Sequence, residues 1–265
     1  MRIDKLLGNL GYGTRNEIKR FCKQGCVVVN GKEMLKSSDH VNPDKDEIFF
    51  NGERVEYREF IYLMLNKPDG YISATYDKYD PIVLDLIDDK YLAFEPFPVG
   101  RLDKDTEGLL VLTNDGKLSH RVLSPKKHVP KTYYAVVYGK VDDDVVDSFE
   151  KGVYIGEDYT TKPAKLNILG DISVEEISNM KEIEVDELKS ILIEAGIEKM
   201  EFKEVEITIS EGKFHQIKRM FKAVDCEVMY LKRIKMGGLC LDASLKLGEY
   251  RELTKEEVSL LEENL

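Results

Sequence analysis

With 265 residues, 42% of them apolar and 34% charged, the chain has the composition of a soluble globular protein and the length of about two domains. No apolar run nears the ~20 residues of a membrane-spanning helix, the opening MRIDKLLGNLGYG has no cleavable apolar core, and Cys22, Cys26, Cys226 and Cys240 lack metal-ligand or disulfide spacing, so a cytoplasmic chain with reduced thiols is expected. A net charge of −11 would repel nucleic acid if spread evenly, but the bases are grouped.

In chain order, Ile3, Leu6, Leu7 and Leu10 fall at i, i+3, i+4 and i+7, which predicts a first helix with one apolar stripe, stopped at Gly11. Thr14 and Glu17 have capping-box spacing, and Ile18, Phe21 and Cys22 supply the buried face of a second helix. Arg15, Lys19 and Lys23 fall on its open side. A short strand, Cys26 to Val29, leads into an Asn30-Gly31 hairpin turn, and the pattern recurs at Glu47 to Phe50 with Asn51-Gly52. Over residues 1–36 the bases outnumber Asp4, Glu17 and Glu33, making a basic patch able to meet phosphate. MRIDKLL, GTRNEIKRF and GCVVVNGK together resemble the S4-type RNA-binding domain. The resemblance implies that Arg2, Lys5, Arg15, Lys19 and Lys23, with the Asn30-Gly31 turn, face RNA and read shape and phosphate more than sequence.

Residues 55–59 read as a polar linker, dividing the chain into a first unit over 1–59 and a second over 60–265. Phe60 to Leu65 predicts a central strand stopped by Asn66, Lys67, Pro68, Asp69 and Gly70. Pro81 to Ile87 predicts a short helix, and Phe94 to Val99 extended chain. A polar loop from Gly100 then carries Asp103 toward the apolar strand Leu109 to Leu112, which ends at the Asn114-Asp115-Gly116 turn. Arg101 and Lys104 flank Asp103, and opposite charge favours an ionised carboxylate, available for attack or proton abstraction. A helix is predicted over Lys117 to Leu123. Lys126 and Lys127 belong to a stretch, 117–140, without a single acid.

Lys131 to Gly139 alternates as a strand. The acidic segment from Asp171 to Gly196 predicts a helix over Val185 to Ala195, and is read as a surface insertion, about 171–200, held away from RNA by its charge. Val205 to Ile209 returns to strand. On the helix within Gly212 to Val224, Ile217, Met220, Phe221 and Val224 form a packing stripe, while His215, Lys218, Arg219 and Lys222 form a polar one. A strand from Glu227 to Lys232 and a closing helix from Glu256 to Leu265 complete the chain.

GRLDKDTEGLLVLTNDG is similar to the catalytic motif of the pseudouridine synthases, in the form of the Rsu-type bacterial ribosomal RNA enzymes. LNKPDGYISAT, KTYYAVVYG, EGKFHQIKRMF, KRIKMGGLCLD and GEYRELT extend the resemblance, in order, over nearly all the chain except the acidic segment. It implies an α+β catalytic domain with a long, largely antiparallel mixed sheet and a cleft across its middle. It also implies that a uridine is flipped out and isomerised without metal or organic cofactor. By the motifs, Asp103 is the nucleophile, Tyr133 stacks on the base, Lys218 pairs with Asp103, Leu231 packs beside the uracil, and Arg101 fills the space the base leaves. Lys126, Lys127, His215 and Arg219 join the RNA-binding surface.

The resemblance is nearest to enzymes of small-subunit ribosomal RNA, free or in an assembly particle, with large-subunit RNA left open. A monomer is expected. Attack at C1′, attack at C6 and a glycal route remain alternatives. Two other functions fit parts of the pattern. A non-catalytic ribosome-assembly factor would use the basic patches but not the carboxylate, tyrosine and lysine of the motifs. A hydrolase working through Asp103 and Asp105 would need its second acid across a substrate bond.

Overall fold

A computed structural model describes residues 1–43, 45–55, 57–181, 183–194, 196–197 and 201–262. The first unit follows from its apolar spacing. In helix α1 (Ile3–Asn9), Ile3, Leu6 and Leu7 are fully buried, and in α2 (Arg15–Lys23) so are Ile18 and Cys22. The Thr14 hydroxyl oxygen accepts from Glu17 N, and the Glu17 carboxylate accepts from Thr14 N at 2.8 Å, closing the capping box. Strands β1 (Val27–Val29), β2 (Lys32–Glu33), β3 (Ile48–Phe50) and β4 (Glu53–Arg54) form a sheet of order β2-β1-β3-β4. Both hairpins turn on residues with left-handed backbone, Asn30 and Gly31 at φ 50° and 76°, Asn51 and Gly52 at 51° and 83°. Such a pair matches the twist of the flanking strands. The linker, 55–59, includes Glu56, which lies outside the described residues.

The second unit is built on one sheet. Its elements are β5 (Tyr62–Lys67), α3 (Asp89–Leu92), β6 (Phe97–Pro98), β7 (Glu107–Thr113), α4 (Gly116–Leu123), β8 (Lys131–Tyr138), α5 (Asp143–Lys151) and β9 (Lys165–Ile172). After these come α6 (Val174–Lys181), α7 (Val185–Glu194), β10 (Phe202–Ile209), α8 (Gln216–Lys222), β11 (Glu227–Met236), β12 (Leu239–Cys240), β13 (Tyr250–Glu252) and α9 (Lys255–Leu260). The strand order is β13-β5-β7-β11-β8-β10-β9, with β6 added to β7 and β12 to β11. Among the described strand pairs of this sheet β7 with β11 alone is parallel, so the sheet is mixed and largely antiparallel as the α+β reading expected.

The middle of the sheet is buried on both faces, which is why β7 reads as an unbroken apolar run rather than an alternating one. Period-2 alternation sends Leu110 and Leu112 to one face and Leu109 and Val111 to the other. The first face packs against Phe149 of α5 and Ile217, Met220 and Phe221 of α8. The second packs against Leu118 and Val122 of α4.

Several boundaries differ from expectation for physical reasons. The apolar run does not stop at Leu65: β5 continues through Asn66 and Lys67, both buried, the Asn66 amide donating to Leu245 O and the Lys67 ammonium to three carbonyls. The turn over Pro81 to Ile87 is a short 3-10 helix, Val83–Leu86. The acidic segment holds two helices, and α6 and α7 press Val174, Ile177, Leu188 and Leu192 onto Val136, Ile172 and Phe202 of the sheet. Its acids Glu175, Glu176, Asp186 and Glu187 remain outside. Ala195, the expected end of that helix, and residues 263–265 of the closing helix lie outside the described residues. Among the described residues no helix is long and apolar enough to cross a membrane.

Gly108 is where the parallel contact closes. It pairs with Arg233 at φ 98°, and a Cβ there would sit 2.3 Å from Arg233 O and 2.9 Å from Arg233 N. Gly108→Ala is therefore expected to cost upwards of ~2 kcal/mol through backbone strain and separation of the two strands, measured by urea unfolding; a loss within experimental error would show that the strands close without the glycine.

Candidate active site

The loop between β6 and β7 carries Asp103, and backbone bonds hold it on both sides. Ser73 Oγ donates to Leu102 O and accepts from Leu102 N, each at 3.0 Å. Thr106 N donates to Asp103 O at 3.1 Å, and Gly70 N to Lys104 O at 3.0 Å. Beneath the loop, the Lys67 ammonium donates to three carbonyls: Pro68 O and Lys104 O at 3.0 Å and Thr106 O at 2.9 Å. Burial pushes Lys67 down to about 8, against the pull of Asp69, Asp105, Glu107 and Asp103. The residue read in the sequence as part of a turn is the buried post on which the loop rests. A lysine closing an uninterrupted apolar run was the available signal.

Above the loop an open cleft of about 460 Å³ brings together Arg101, Asp103, Tyr133, Lys218 and Leu231, all five residues expected to carry the chemistry. They come from four elements: the loop before β7, β8, α8 and β11. Tyr133 on β8 is buried, and Leu231 on β11 is the register partner of Ala135, two residues along from Tyr133 and so on the same face. Lys218 projects from the first turns of α8. Arg101 is exposed at the cleft wall, and the Asp103 side chain is 29% exposed, so its carboxylate is accessible.

Two partners differ from those expected. Lys218 Nζ lies 2.5 Å from Asp105 Oδ2, not on Asp103, because Asp105 extends outward from the same loop toward α8. Partial burial would raise the Asp105 carboxyl, but the hydrogen bond and charge of Lys218 outweigh it and hold Asp105 below its usual range. Asp103 instead has His215 beside it, Nε2 to Oδ1 3.7 Å, an ion pair whenever the imidazole is protonated. His215 sits just before α8 with left-handed backbone, φ 49°, and its ring stacks on Phe214 at 3.8 Å. Lys104 turns away to Asp80 at 2.6 Å, leaving Arg101 as the flanking base of the loop that lines the cleft.

Of the residues expected to face RNA, Lys5, Arg15, Lys19, Lys23, Gly31, Lys126 and Lys127 are exposed. Arg2 is half engaged, its guanidinium on Asp4 at 2.6 Å. Asn30 is exposed, but its side chain fastens its own hairpin, donating to Asp46 Oδ1 at 2.8 Å and accepting from Glu47 N at 2.9 Å. Arg219 is also spent inside the protein, donating through Nε and Nη2 to Ile155 O at 3.1 and 2.6 Å.

The pattern of the S4 domain matches residues 1–48, and that of RNA pseudouridylate synthase matches residues 61–223. The chain belongs to the RNA pseudouridylate synthase family. It is an isomerase of uridine in RNA, with an S4 domain ahead of its catalytic sheet. A Bacillus subtilis protein named an uncharacterized RNA pseudouridine synthase is 48% identical over 263 residues, 99% of either chain. The ribosomal small subunit pseudouridine synthase A of Escherichia coli K12 is 35% identical over 98% of this chain and 99% of its own. That of Haemophilus influenzae is 37% identical over the same shares. A crystal structure of a pseudouridylate synthase superposes with a TM-score of 0.61 at 35% identity, over 98% of this chain and 99% of the other.

Lys67→Met would leave the carbonyls of Pro68 and Thr106 without the Lys67 donor, Lys104 O keeping Gly70 N, and a loss of roughly 2–4 kcal/mol is expected in urea unfolding, since each unsatisfied buried group costs about 1–3. The pH dependence has a definite sign. The folded-state pKa of about 8 lies below the unfolded value, so between about pH 8 and 10 the unfolded chain binds more protons and stability from this group rises with pH. Wild type should gain on Lys67→Met across that window; a difference constant from pH 7 to 10 would contradict it.

Proposed function

We propose that the enzyme converts a uridine of small-subunit ribosomal RNA to pseudouridine, with Asp103 as the nucleophile. The observation that carries this reading is the convergence of Asp103, Tyr133, Leu231, Lys218 and Arg101 on one cleft. The names of the Escherichia coli and Haemophilus influenzae relatives favour the small subunit.

The reaction breaks the bond from C1′ to uracil N1 and makes one from C1′ to C5, with the C5 proton leaving and N1 taking one up. No atom or electron is gained, so an acid–base pair and a nucleophile suffice. Asp103 attacks C1′ or C6, or assists glycal formation. Tyr133 offers the detached base a flat apolar surface on which to turn; stacking of this kind is worth roughly 1–3 kcal/mol and offsets the unstacking of the extruded nucleotide. Leu231 packs against the uracil and Arg101 enters the gap left in the helix. Lys218 supplies positive charge beside the carboxylates and acts on Asp103 through Asp105, whose charge it neutralises, and His215 stands beside Asp103.

Residues 1–59 act as the RNA-binding unit with its linker, and residues 60–265 as the catalytic domain. The exposed bases Lys5, Arg15, Lys19 and Lys23, with Lys126 and Lys127 near the cleft side, track the phosphates. The enzyme works as a cytoplasmic monomer on ribosomal RNA, free or within an assembling subunit.

Asp103→Asn should abolish isomerisation while RNA binding and unfolding midpoint stay near wild type. Pseudouridine mapping of both ribosomal RNAs from cells lacking the protein, restored with wild type or Asp103→Asn, reads this directly: one small-subunit site should vanish and return only with wild type. A large-subunit site would correct the substrate, and turnover by Asp103→Asn would sink the nucleophile. In a separate measurement, the double change Arg15→Gln, Lys19→Gln should weaken RNA binding and flatten the plot of log K against log salt by ~0.7 to 0.9 for each phosphate no longer neutralised; an unchanged slope would remove α2 from the interface.

A further inference from the structure

Beside the catalytic cleft, and sharing Arg101, Tyr133, Gly212 and Lys213 with it, lies a second cavity. None of its five cations, Arg101, Lys131, Lys162, Lys213 and Arg233, has a carboxylate counterion among the described residues, and two of them are withdrawn from solvent. Arg233 is 1% exposed; its Nε donates to Leu109 O at 2.8 Å, and its Nη2, wholly inaccessible, has no partner. Lys131, half-buried, gives its ammonium only to Val129 O at 2.8 Å. Neither forms an ion pair among the described residues. Burial, and then the like charge of Arg233, push Lys131 down to about 8. The acid in the cavity wall, Glu211, is engaged by other groups: it accepts from Tyr159 Oη at 2.5 Å, Lys162 N at 2.9 Å and Gln216 Nε2 at 3.0 Å.

A buried cation without a partner is costly, and two such groups lining one cavity cost more than either alone. Sheet register shows that the arrangement is built in. Arg233 on β11 pairs with Tyr133 on β8, and Lys131 lies two residues before Tyr133, so both cations stand on the face that carries the cleft tyrosine. What would satisfy them is an anion with several acceptor oxygens, and a guanidinium whose buried Nη2 has no partner matches a phosphate in particular.

We propose that this cavity is a phosphate subsite, in which Arg233 and Lys131 receive the phosphodiester of a nucleotide flanking the uridine held over Tyr133. The assignment rests on the reading of the cleft as the uridine site. Because the two cavities share a wall, seating the flanking phosphate fixes where the target sugar lies relative to Asp103. In the absence of RNA the unpaired cations weaken the fold, and the ligand restores what they cost.

The experiment uses the full chain and a fragment of ribosomal RNA around the mapped uridine, with the phosphates on its 5′ and 3′ sides replaced one at a time by neutral methylphosphonates. Binding is read by fluorescence anisotropy alongside turnover, so the subsite is decided even if no pseudouridine forms, an outcome that would count against the proposed reaction instead. One neutral linkage should weaken binding to wild type about tenfold or more, the worth of a charge-assisted contact. Lys131→Met should lose a similar factor on unmodified RNA, nothing further on that neutral linkage, and ~0.7 of salt slope, while its apoprotein melts higher than wild type. A merely structural lysine would lower the melting temperature and leave the salt slope alone. Wild-type binding indifferent to both linkages, which needs no variant to fold, would overturn the proposal. So would losses from Lys131→Met and the neutral linkage that multiply. Inorganic phosphate that raises the wild-type melting temperature without competing with the RNA would assign the site to free phosphate and overturn the backbone assignment.

Discussion

The parallel contact between β7 and β11, closed at Gly108 against Arg233, is the constraint on which the cleft depends. One strand carries the Asp103 loop on its leading end; the other carries Leu231 and, through its antiparallel pairing with β8, sets the position of Tyr133. A backbone approach that close admits no side chain at 108. The sheet therefore joins distant parts of the chain through a position with nothing to pack, and the residues of the cleft gather because the backbones touch there.

Buried positive charge serves this enzyme in two distinct ways. Lys67 is surrounded by carbonyls and acts inward, gathering Pro68, Lys104 and Thr106 so that the loop bearing Asp103 keeps its shape. Arg233 and Lys131 have few such partners and face a cavity, so their charge remains available to a ligand. The contrast lies in hydrogen-bond satisfaction rather than in burial. A satisfied buried cation organises structure, and an unsatisfied one is the ground for the proposed phosphate subsite.

The overall charge of −11 is compatible with an RNA partner because it is partitioned. Acids of α6 and α7 are exposed on helices whose apolar sides cover the β8, β9 and β10 region of the sheet. Bases of α2 and of the stretch after α4 remain exposed elsewhere. Since charges separated by more than a Debye length of about 8 Å at physiological salt are largely screened, local patches and not the net charge govern contact with phosphate. The acidic segment also has a structural part, closing an apolar face that its composition alone did not reveal.

Elements with local causes were legible in the sequence: the capping box at Thr14, the two Asn-Gly turns, the buried run of β7 and the packing stripe of α8 each depend on neighbours within a few residues. Asp103, Tyr133, Leu231, Lys218 and Arg101 were legible as a set through motif order, and the cleft contains them all. The pairing of Lys218 with Asp105, the approach of His215 to Asp103 and the internal use of Asn30 and Arg219 were not legible. Each depends on which atoms meet across elements far apart in the chain, and two aspartates separated by one residue offer nothing in sequence to say which will face a lysine more than a hundred residues later. Local spacing thus determined the elements and the family of chemistry. Only tertiary packing decided which charges were satisfied and which were left open, because hydrogen-bond satisfaction belongs to a three-dimensional neighbourhood.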